Sequence, residues 1–305
     1  MSIYADMFMK SCRDSMRSWD AEEMPLVPRP PSNRHGTWLL IDVAPISYTC
    51  ANDVRTAGGV LSLSKTEITR NIVCGMSATI DAIIQDVSPC AALIISEGPN
   101  GKLSRRKLFP GYKGKRADAK AKWDETEKHL DIGRRDAIEP ANLAYVFGTG
   151  VGLFHCEDVE ADDALAAYAM GISAAGCRCV IATVDSDLWQ CCRWPGVEVV
   201  DLGKHSHVKE RHIADKYGAA SDIPLYKAIV GDASDSIPGV PGLGDVAGKN
   251  LLDGRSISPN QECLFIKHQQ TVVDYLLVTR LPFVGSVPSR FPANVLDYEL
   301  ESLPF

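Results

Sequence analysis

Thr37-Trp38-Leu39-Leu40-Ile41-Asp42 is an almost wholly apolar run that ends in an acid. A strand with one solvated face alternates polar and apolar residues, whereas an unbroken run suits a strand buried on both faces of a parallel sheet. Working outward, Ala91-Ala92-Leu93-Ile94-Ile95-Ser96-Glu97 repeats the pattern, again closing on an acid. Gly152–Cys156 reads as a shorter strand, Arg178–Val184 as a clear one followed by Asp185 and Asp187, and Val197–Asp201 as one more. Between the first two strands, Ile68, Ile72, Val73, Met76, Ile80, Ile83 and Ile84 recur at helical spacing, which predicts a crossover helix over residues 66–86. Ala161, Ala164, Leu165 and Tyr168 share one face of a further helix. Alternating strands and helices place the chain in the α/β class, with a largely parallel sheet flanked by helices.

Open parallel sheets bind ligands outside the carboxyl ends of their strands. Asp42, Glu97, Asp185 and Asp187 fall there, and Glu160, Asp162 and Asp163 open the Ala161 helix. One such acid is explained as a cap or by the helix dipole, worth about 0.3–1 kcal/mol. Several together repel one another unless a cation neutralises them. The stretch from Ile229 to Gly244 adds Asp232 and Asp235, followed by the turn Pro238-Gly239-Val240-Pro241-Gly242-Leu243-Gly244 and a helix expected over Asp245–Leu252. A Gly- and Pro-rich turn opening into a helix N-terminus presents free N–H groups that suit a phosphate. By itself it equally suits a plain helix–turn–helix packing element. Oxygen donors with no accompanying His or Cys select Mg²⁺ or Mn²⁺. Two such ions about 3.5–4 Å apart clamp a phosphodiester, so the residues point to metal-assisted phosphodiester hydrolysis.

The chain of 305 residues carries a net charge of -7, which weakly opposes a general polyanion binder. Yet residues 102–135 hold twelve Lys and Arg against five Asp and Glu, with Phe109, Tyr112 and Trp123 interleaved. Cations beside aromatics suit a nucleic-acid strand, although a solvated helical face is the plainer alternative. No apolar run approaches the roughly 18 residues of a membrane helix, and the charged N-terminus is no signal peptide, so a cytosolic protein is expected. The ten cysteines have irregular spacings with no paired knuckle, and free buried thiols are expected rather than zinc. Neither a P-loop nor a nucleophile elbow is present. Residues 1–36 read as a short mixed helical segment followed by a proline-bearing extended strap. Helices are expected over 207–217, 223–230 and 261–278, and an irregular tail over 279–305.

Four ordered motifs resemble the structure-specific 5′-nucleases, the family of flap endonucleases, phage 5′–3′ exonucleases and the 5′-nuclease domain of bacterial DNA polymerase I. They are Pro110-Gly-Tyr-Lys-Gly-Lys-Arg116, Glu160-Ala-Asp-Asp163, Thr183-Val-Asp-Ser-Asp187 and Gly231-Asp-Ala-Ser-Asp-Ser-Ile-Pro-Gly-Val-Pro-Gly-Leu-Gly244. The resemblance runs from about Thr37 to Leu281. It implies a PIN-like core over 37–205 with a helical arch at about 102–140. A helix–three-turn–helix subdomain over 206–281 and a tail over 282–305 would follow. By matching position, Asp42, Glu160, Asp162 and Asp185 would hold one metal. Asp163, Asp187, Asp232 and Asp235 would serve a second, and Glu97 would complete the rim. Lys113 and Arg116 would contact the scissile phosphate, and Tyr112 would stack on a base. Arg105, Arg106, Lys115 and Lys249 would contact DNA, as would the hairpin residues Gly239, Val240, Gly242, Leu243 and Gly244. The hairpin would also bind K⁺ through carbonyls near Val240 and Leu243. The implied protein is a free-standing, monomeric, Mg²⁺- or Mn²⁺-dependent 5′–3′ exonuclease or flap endonuclease acting on DNA. Glu97 stands where the family has Asp, and Ser236 where it has Asn. A non-catalytic junction binder of the same fold and a PIN-type ribonuclease are the alternatives.

Overall fold

The computed structural model describes residues 2–23, 27–30, 35–98, 100–149, 151–204 and 206–283, and for residues 23, 117, 118 and 139–149 the backbone alone. Its strands are β1 (Thr37–Asp42), β2 (Ala91–Glu97), β3 (Gly152–Cys156), β4 (Arg178–Thr183), β5 (Val197–Asp201) and β6 (Ser206–His207). They form one sheet in the order β3-β2-β1-β4-β5-β6, parallel except for the β5–β6 edge pair. The order reverses between β1 and β4, so the crevice outside their carboxyl ends is where an open α/β sheet binds its ligand. The helices in chain order are α1 (Ile3–Glu23), α2 (Val43–Ala57), α3 (Lys65–Val87), α4 (Leu103–Leu108), α5 (Lys115–Ala121) and α6 (Glu125–Thr149). They continue as α7 (Ala161–Ala174), α8 (Glu210–Tyr217), α9 (Ile223–Val230), α10 (Asp245–Leu252), α11 (Pro259–Lys267) and α12 (Gln269–Thr279).

Successive strand residues face opposite sides, and the two faces of the sheet feed two separate cores. Trp38, Leu40, Leu93, Ile95 and Ile181 pack with α7 on one side. Leu39, Ile41, Ile94, Val180 and Ala182 pack with α2, α3 and α6 on the other. Burial on both faces is why these strands read as unbroken apolar runs. A third core joins α8 to α12 around Tyr217, Ile229, Leu251 and Phe265.

The amino-terminal segment differs from expectation. Residues 3–23 form one helix of 21 residues, whose Ala5, Met9 and Cys12 are buried in that third core. Arg13 donates to both carboxylate oxygens of Asp222 (2.8 and 3.1 Å) and to the Leu252 carbonyl (2.7 Å). Asp20 accepts a bidentate pair from Arg193 (2.8 and 3.0 Å). The helix thus braces the carboxy-terminal subdomain against the sheet domain. The following strap runs close over α7, where a Cβ on Gly171 would overlap the Pro28 carbonyl. The expected helix over 261–278 is two helices, α11 and α12, which meet at His268. The tail from residue 284 lies outside the described residues.

Candidate active site

Each acid is delivered by a chain end that the fold places at the β1/β4 crevice. Asp42 closes β1 and caps α2, and its carboxylate accepts the Thr183 hydroxyl of β4 at 2.8 Å. Asp185 follows β4 and accepts the Asp187 N–H at 2.8 Å, which fixes the turn carrying both acids. Glu160 caps α7, with Asp162 and Asp163 in the first turn. Glu97 ends β2 exposed and accepts the Ala161 N–H at 3.1 Å, so it also ties β2 to α7. Asp232 bonds the Ser234 N–H (2.8 Å) and hydroxyl (2.5 Å) in its own turn. Oxygens of Asp187, Asp232 and Asp235 lie within 4.8 Å of one another. A cavity of about 460 Å³ opens there, lined by Asp187 and Asp232 together with Asp185, Arg116, Tyr226 and Lys227.

Electrostatically the rim divides in two. Glu160 is 2% exposed, and burial opposes its charge. Arg105 and Lys113 outweigh that and hold it below the usual carboxylate range, with the Tyr112 hydroxyl donating at 3.1 Å. Burial still raises Asp163, although Arg105 bridges it at 2.5 and 2.7 Å and the Phe283 N–H donates to it at 2.7 Å. Lys227 joins Asp187 to Asp232, and against the cost of burial it brings Asp232 down to about 2. For the remaining acids, nearby cations do not offset burial. Burial, with Asp185 and Glu97 nearby, pushes Asp42 up to about 7. Burial and the Asp185 charge raise Asp162 well above its ordinary value, and burial raises Asp185. Burial also raises Asp235, which lies 3.3 Å from Arg116 and 4.0 Å from Lys113.

Three carboxylates short of positive charge, all oxygen donors, face one another at the switch point: Asp42, Asp162 and Asp185. That is the donor set and the charge deficit a hard divalent cation satisfies. No His or Cys joins the metal-spaced group found among the described residues, and no disulfide links the cysteines there.

Several expectations need correction. Asp163 faces Arg105 and the Phe283 backbone, so its oxygens are spent away from the second cluster. Arg105 is 3% exposed and serves Glu160, Asp163 and the Val278 carbonyl, so it is a buried counter-ion and not a DNA contact. Tyr112 is 3% exposed with its hydroxyl on Glu160, leaving no free face for a base. Arg106 donates to the Tyr112 carbonyl at 3.0 Å, and Lys249 donates to the carbonyls of Ala214 and Asp215 at the end of α8; both brace protein backbone. In the hairpin, the Val240 and Leu243 side chains are buried, and the Val240 carbonyl accepts the Leu243 N–H at 3.1 Å. Gly239, with φ 69, lies so close to Val230 that a Cβ would collide with its backbone; Gly242 and Gly244 are exposed.

Lys113 and Ser236 hold positive φ of 52 and 63. The Lys113 N–H donates to the Asp235 carbonyl (2.9 Å) and the Lys115 N–H to the Ser236 hydroxyl (3.3 Å). These bonds stitch the Pro110–Lys115 loop to the Asp232–Ile237 turn and deliver the Lys113 ammonium to Glu160, while Lys115 and Arg116 stay exposed. Sequence reasoning missed Lys227, which is 7% exposed. Its signal was one lysine inside the otherwise apolar helix Ile223-Pro-Leu-Tyr-Lys-Ala-Ile-Val230.

Comparison with known proteins gives the family and the fold. Residues 38–218 match the family model of the 5′-3′ exonuclease N-terminal, resolvase-like domain. DNA polymerase I of Pseudomonas aeruginosa is 30% identical over 223 residues, covering 71% of this chain and 22% of that protein. A 5′-3′ exonuclease of Aquifex aeolicus is 28% identical over 183 residues, covering 60% of this chain and 58% of that protein. The chain thus spans about a fifth of the polymerase relative's length. Among solved structures, T5 5′-exonuclease with bound zinc superposes with a TM-score of 0.67 at 18% identity, over 81% of this chain and 90% of that one. T5 flap endonuclease in a complex with DNA and metal ions gives 0.66 at 19% identity, over 81% and 89%. These likenesses show the fold. With the matched domain covering more than half of its length, the chain belongs to the 5′–3′ exonuclease family of nucleases.

Proposed function

We propose that the protein hydrolyses DNA phosphodiester bonds at 5′ ends and at junctions between single strand and duplex, using two Mg²⁺ or Mn²⁺ ions. The observation that carries this reading is the group of charge-deficient carboxylates at the sheet's switch point, the buried Asp42 with the half-buried Asp162 and Asp185. Asp187, Asp232 and Asp235 lie alongside, and Lys113 is held against Glu160. Divalent ions bound there supply Lewis acidity toward the phosphate and lower the pKa of water. Asp42, Asp162, Asp185 and Glu160 would hold the first ion, and Asp187, Asp232 and Asp235 the second, with Lys227 as the resident counter-charge. Lys113 and Arg116 sit where a phosphate approaching these acids meets positive charge. In the reaction a bond forms from the water oxygen to phosphorus, the bond from phosphorus to the leaving sugar oxygen breaks, and the proton given up by the water is balanced by one taken up at that leaving oxygen.

The exposed glycines of the hairpin leave room for a duplex backbone, and a K⁺ ion on the hairpin carbonyls is part of the same proposal, as are a monomeric state and a cytoplasmic setting. The test uses a labelled 5′-flap DNA and its RNA counterpart with Mg²⁺ or EDTA. Cutting of the DNA flap in Mg²⁺ alone is expected. Binding without cutting in Mg²⁺, and in Mn²⁺ supplied in its place, would favour the junction binder, and preference for RNA would favour the ribonuclease. Further support comes from T5 flap endonuclease, whose structure was solved with DNA and metal ions.

A further inference from the structure

The two proposed ion sites are built differently. Asp42, Asp162 and Asp185 come from the end of β1, the first turn of α7 and the end of β4, so the first site belongs wholly to the sheet domain. The second takes Asp187 from the segment after β4, and Asp232 and Asp235 from the turn after α9. Metal–ligand distances hold to about 0.2 Å. The second site therefore forms only when the carboxy-terminal subdomain stands in the right place against the sheet domain.

One helix is tied to both halves of that site. The family model begins at residue 38, so α1 lies outside the matched domain. Its Ala5, Met9, Cys12, Met16 and Trp19 recur in steps of four and three residues and pack along the third core. Arg13 and Asp20 flank that stripe. Seven residues are two helical turns and about 10.5 Å along the axis, so both side chains leave α1 on the same side. Arg13 grips both ends of the hairpin module, through Asp222 just before α9 and through the carbonyl of Leu252, the last residue of α10. From Asp222 the eight residues of α9 lead directly to Gly231 and Asp232. Asp20 holds Arg193 by a second fork, with Arg280 at 3.7 Å. Arg193 closes the segment Ser186–Arg193 and donates to the Gln190 carbonyl at 3.0 Å. Gln190, fully buried, donates in turn to the Asp187 carbonyl at 2.9 Å. Contacts thus run unbroken from Asp20 to the backbone of Asp187, and from Arg13 to that of Asp232. Forked Arg–carboxylate pairs fix orientation as well as distance.

We propose that α1 is a strut, with Arg13 and Asp20 as positioning residues, that holds Asp187 in place against Asp232 and Asp235 for the second ion. A strut fails when either end is released, so releasing both costs little more than releasing one. Groups that orient metal ligands directly change affinity about 10–100-fold, and Arg13 and Asp20 act from further out, so about three- to tenfold is expected. The inference rests on the two-ion reading and adds to it the groups that assemble the second site.

The experiment measures Mn²⁺ binding to the full chain without DNA, from the electron paramagnetic resonance of free Mn²⁺. It compares wild type, Arg13→Gln, Asp20→Asn and the double variant. Wild type should bind two ions. Each single variant should keep one affinity and weaken the other about threefold or more, and the double variant should match the singles. Arg17→Gln, which breaks an exposed pair with Asp14 on the same helix, should bind as wild type does. Arg13→Lys keeps the charge without the planar fork and takes the place of Arg13→Gln if that variant does not fold. On a labelled 5′-flap DNA the strut variants should need more Mn²⁺ for half-maximal cleavage and reach the wild-type kcat at saturation. Two bound ions with unchanged affinities, equal weakening of both, or additive losses in the double variant would overturn the strut and leave the nuclease reading standing. A single ion bound by wild type fails the two-ion reading itself, and the strut with it.

Discussion

Replacing Asp42 with Asn removes one charge from a buried position and keeps the shape of the side chain. The carboxyl is 4% exposed, and its acidity is shifted from 3.8 to about 7 by burial and by neighbouring acids. The folded chain therefore binds this proton more tightly than the unfolded chain. The resulting penalty on folding is absent below 3.8, grows as pH rises through that window, and is complete above about 7. A shift of roughly three pH units, at about 1.36 kcal/mol each, makes the full penalty on the order of 4 kcal/mol. The Asn side-chain oxygen still accepts the Thr183 hydroxyl, so little else is lost. In EDTA at about pH 8, urea denaturation should show Asp42→Asn more stable than wild type by up to that amount, with the gap closing toward about pH 4. Adding Mn²⁺ should stabilise wild type by mass action and the variant far less. An Asp42→Asn variant that is no more stable than wild type at about pH 8, or that keeps the full Mn²⁺ response, would refute the reasoning.

Arg105→Met leaves Glu160 and Asp163 buried without their guanidinium, and should cost about 3–5 kcal/mol of stability by urea denaturation. Arg105→Gln removes the charge but keeps a donor for the buried acids, and its DNA binding should keep the wild-type salt dependence. A slope shallower by about one would return Arg105 to the DNA interface. Lys227→Met uncovers Asp187 and Asp232 and should lower stability in EDTA by a similar 3–5 kcal/mol, about half or more of which Mn²⁺ should restore. Thermal melts with and without metal check this, and an equal loss in both conditions would count against a cation site at these acids.

Much of the architecture is legible in the sequence because buried parallel strands leave unbroken apolar runs. β1 and β2 lie where those runs do, and α9 and α10 are bounded by the Gly and Pro punctuation of the 231–244 turn. α2 is harder to see, since Val43-Ala-Pro-Ile-Ser-Tyr-Thr mixes a proline and β-formers at its start. Pro45 is tolerated there because first-turn N–H groups have no helical partner in any case. α1 hides its short buried face behind exposed Ile3, Tyr4 and Met7. At the site, the positions of the acids follow from strand ends, and spacing suffices to find them. Which cations face those acids does not follow, because that depends on how α4 and α9 are rolled in three dimensions. Arg105 reads like its basic neighbours and yet turns inward. Ser236 shows no role in the sequence, and only the fold brings its hydroxyl to the Lys115 N–H.

The central claim is that the acids at the β1/β4 crevice hold the ions that cut DNA. Its most direct test is Asp162→Ala on a labelled 5′-flap DNA in Mg²⁺, with cleavage and flap binding measured on the same preparation. The account predicts that cleavage is abolished while binding stays close to wild type. Retained turnover would contradict the assignment.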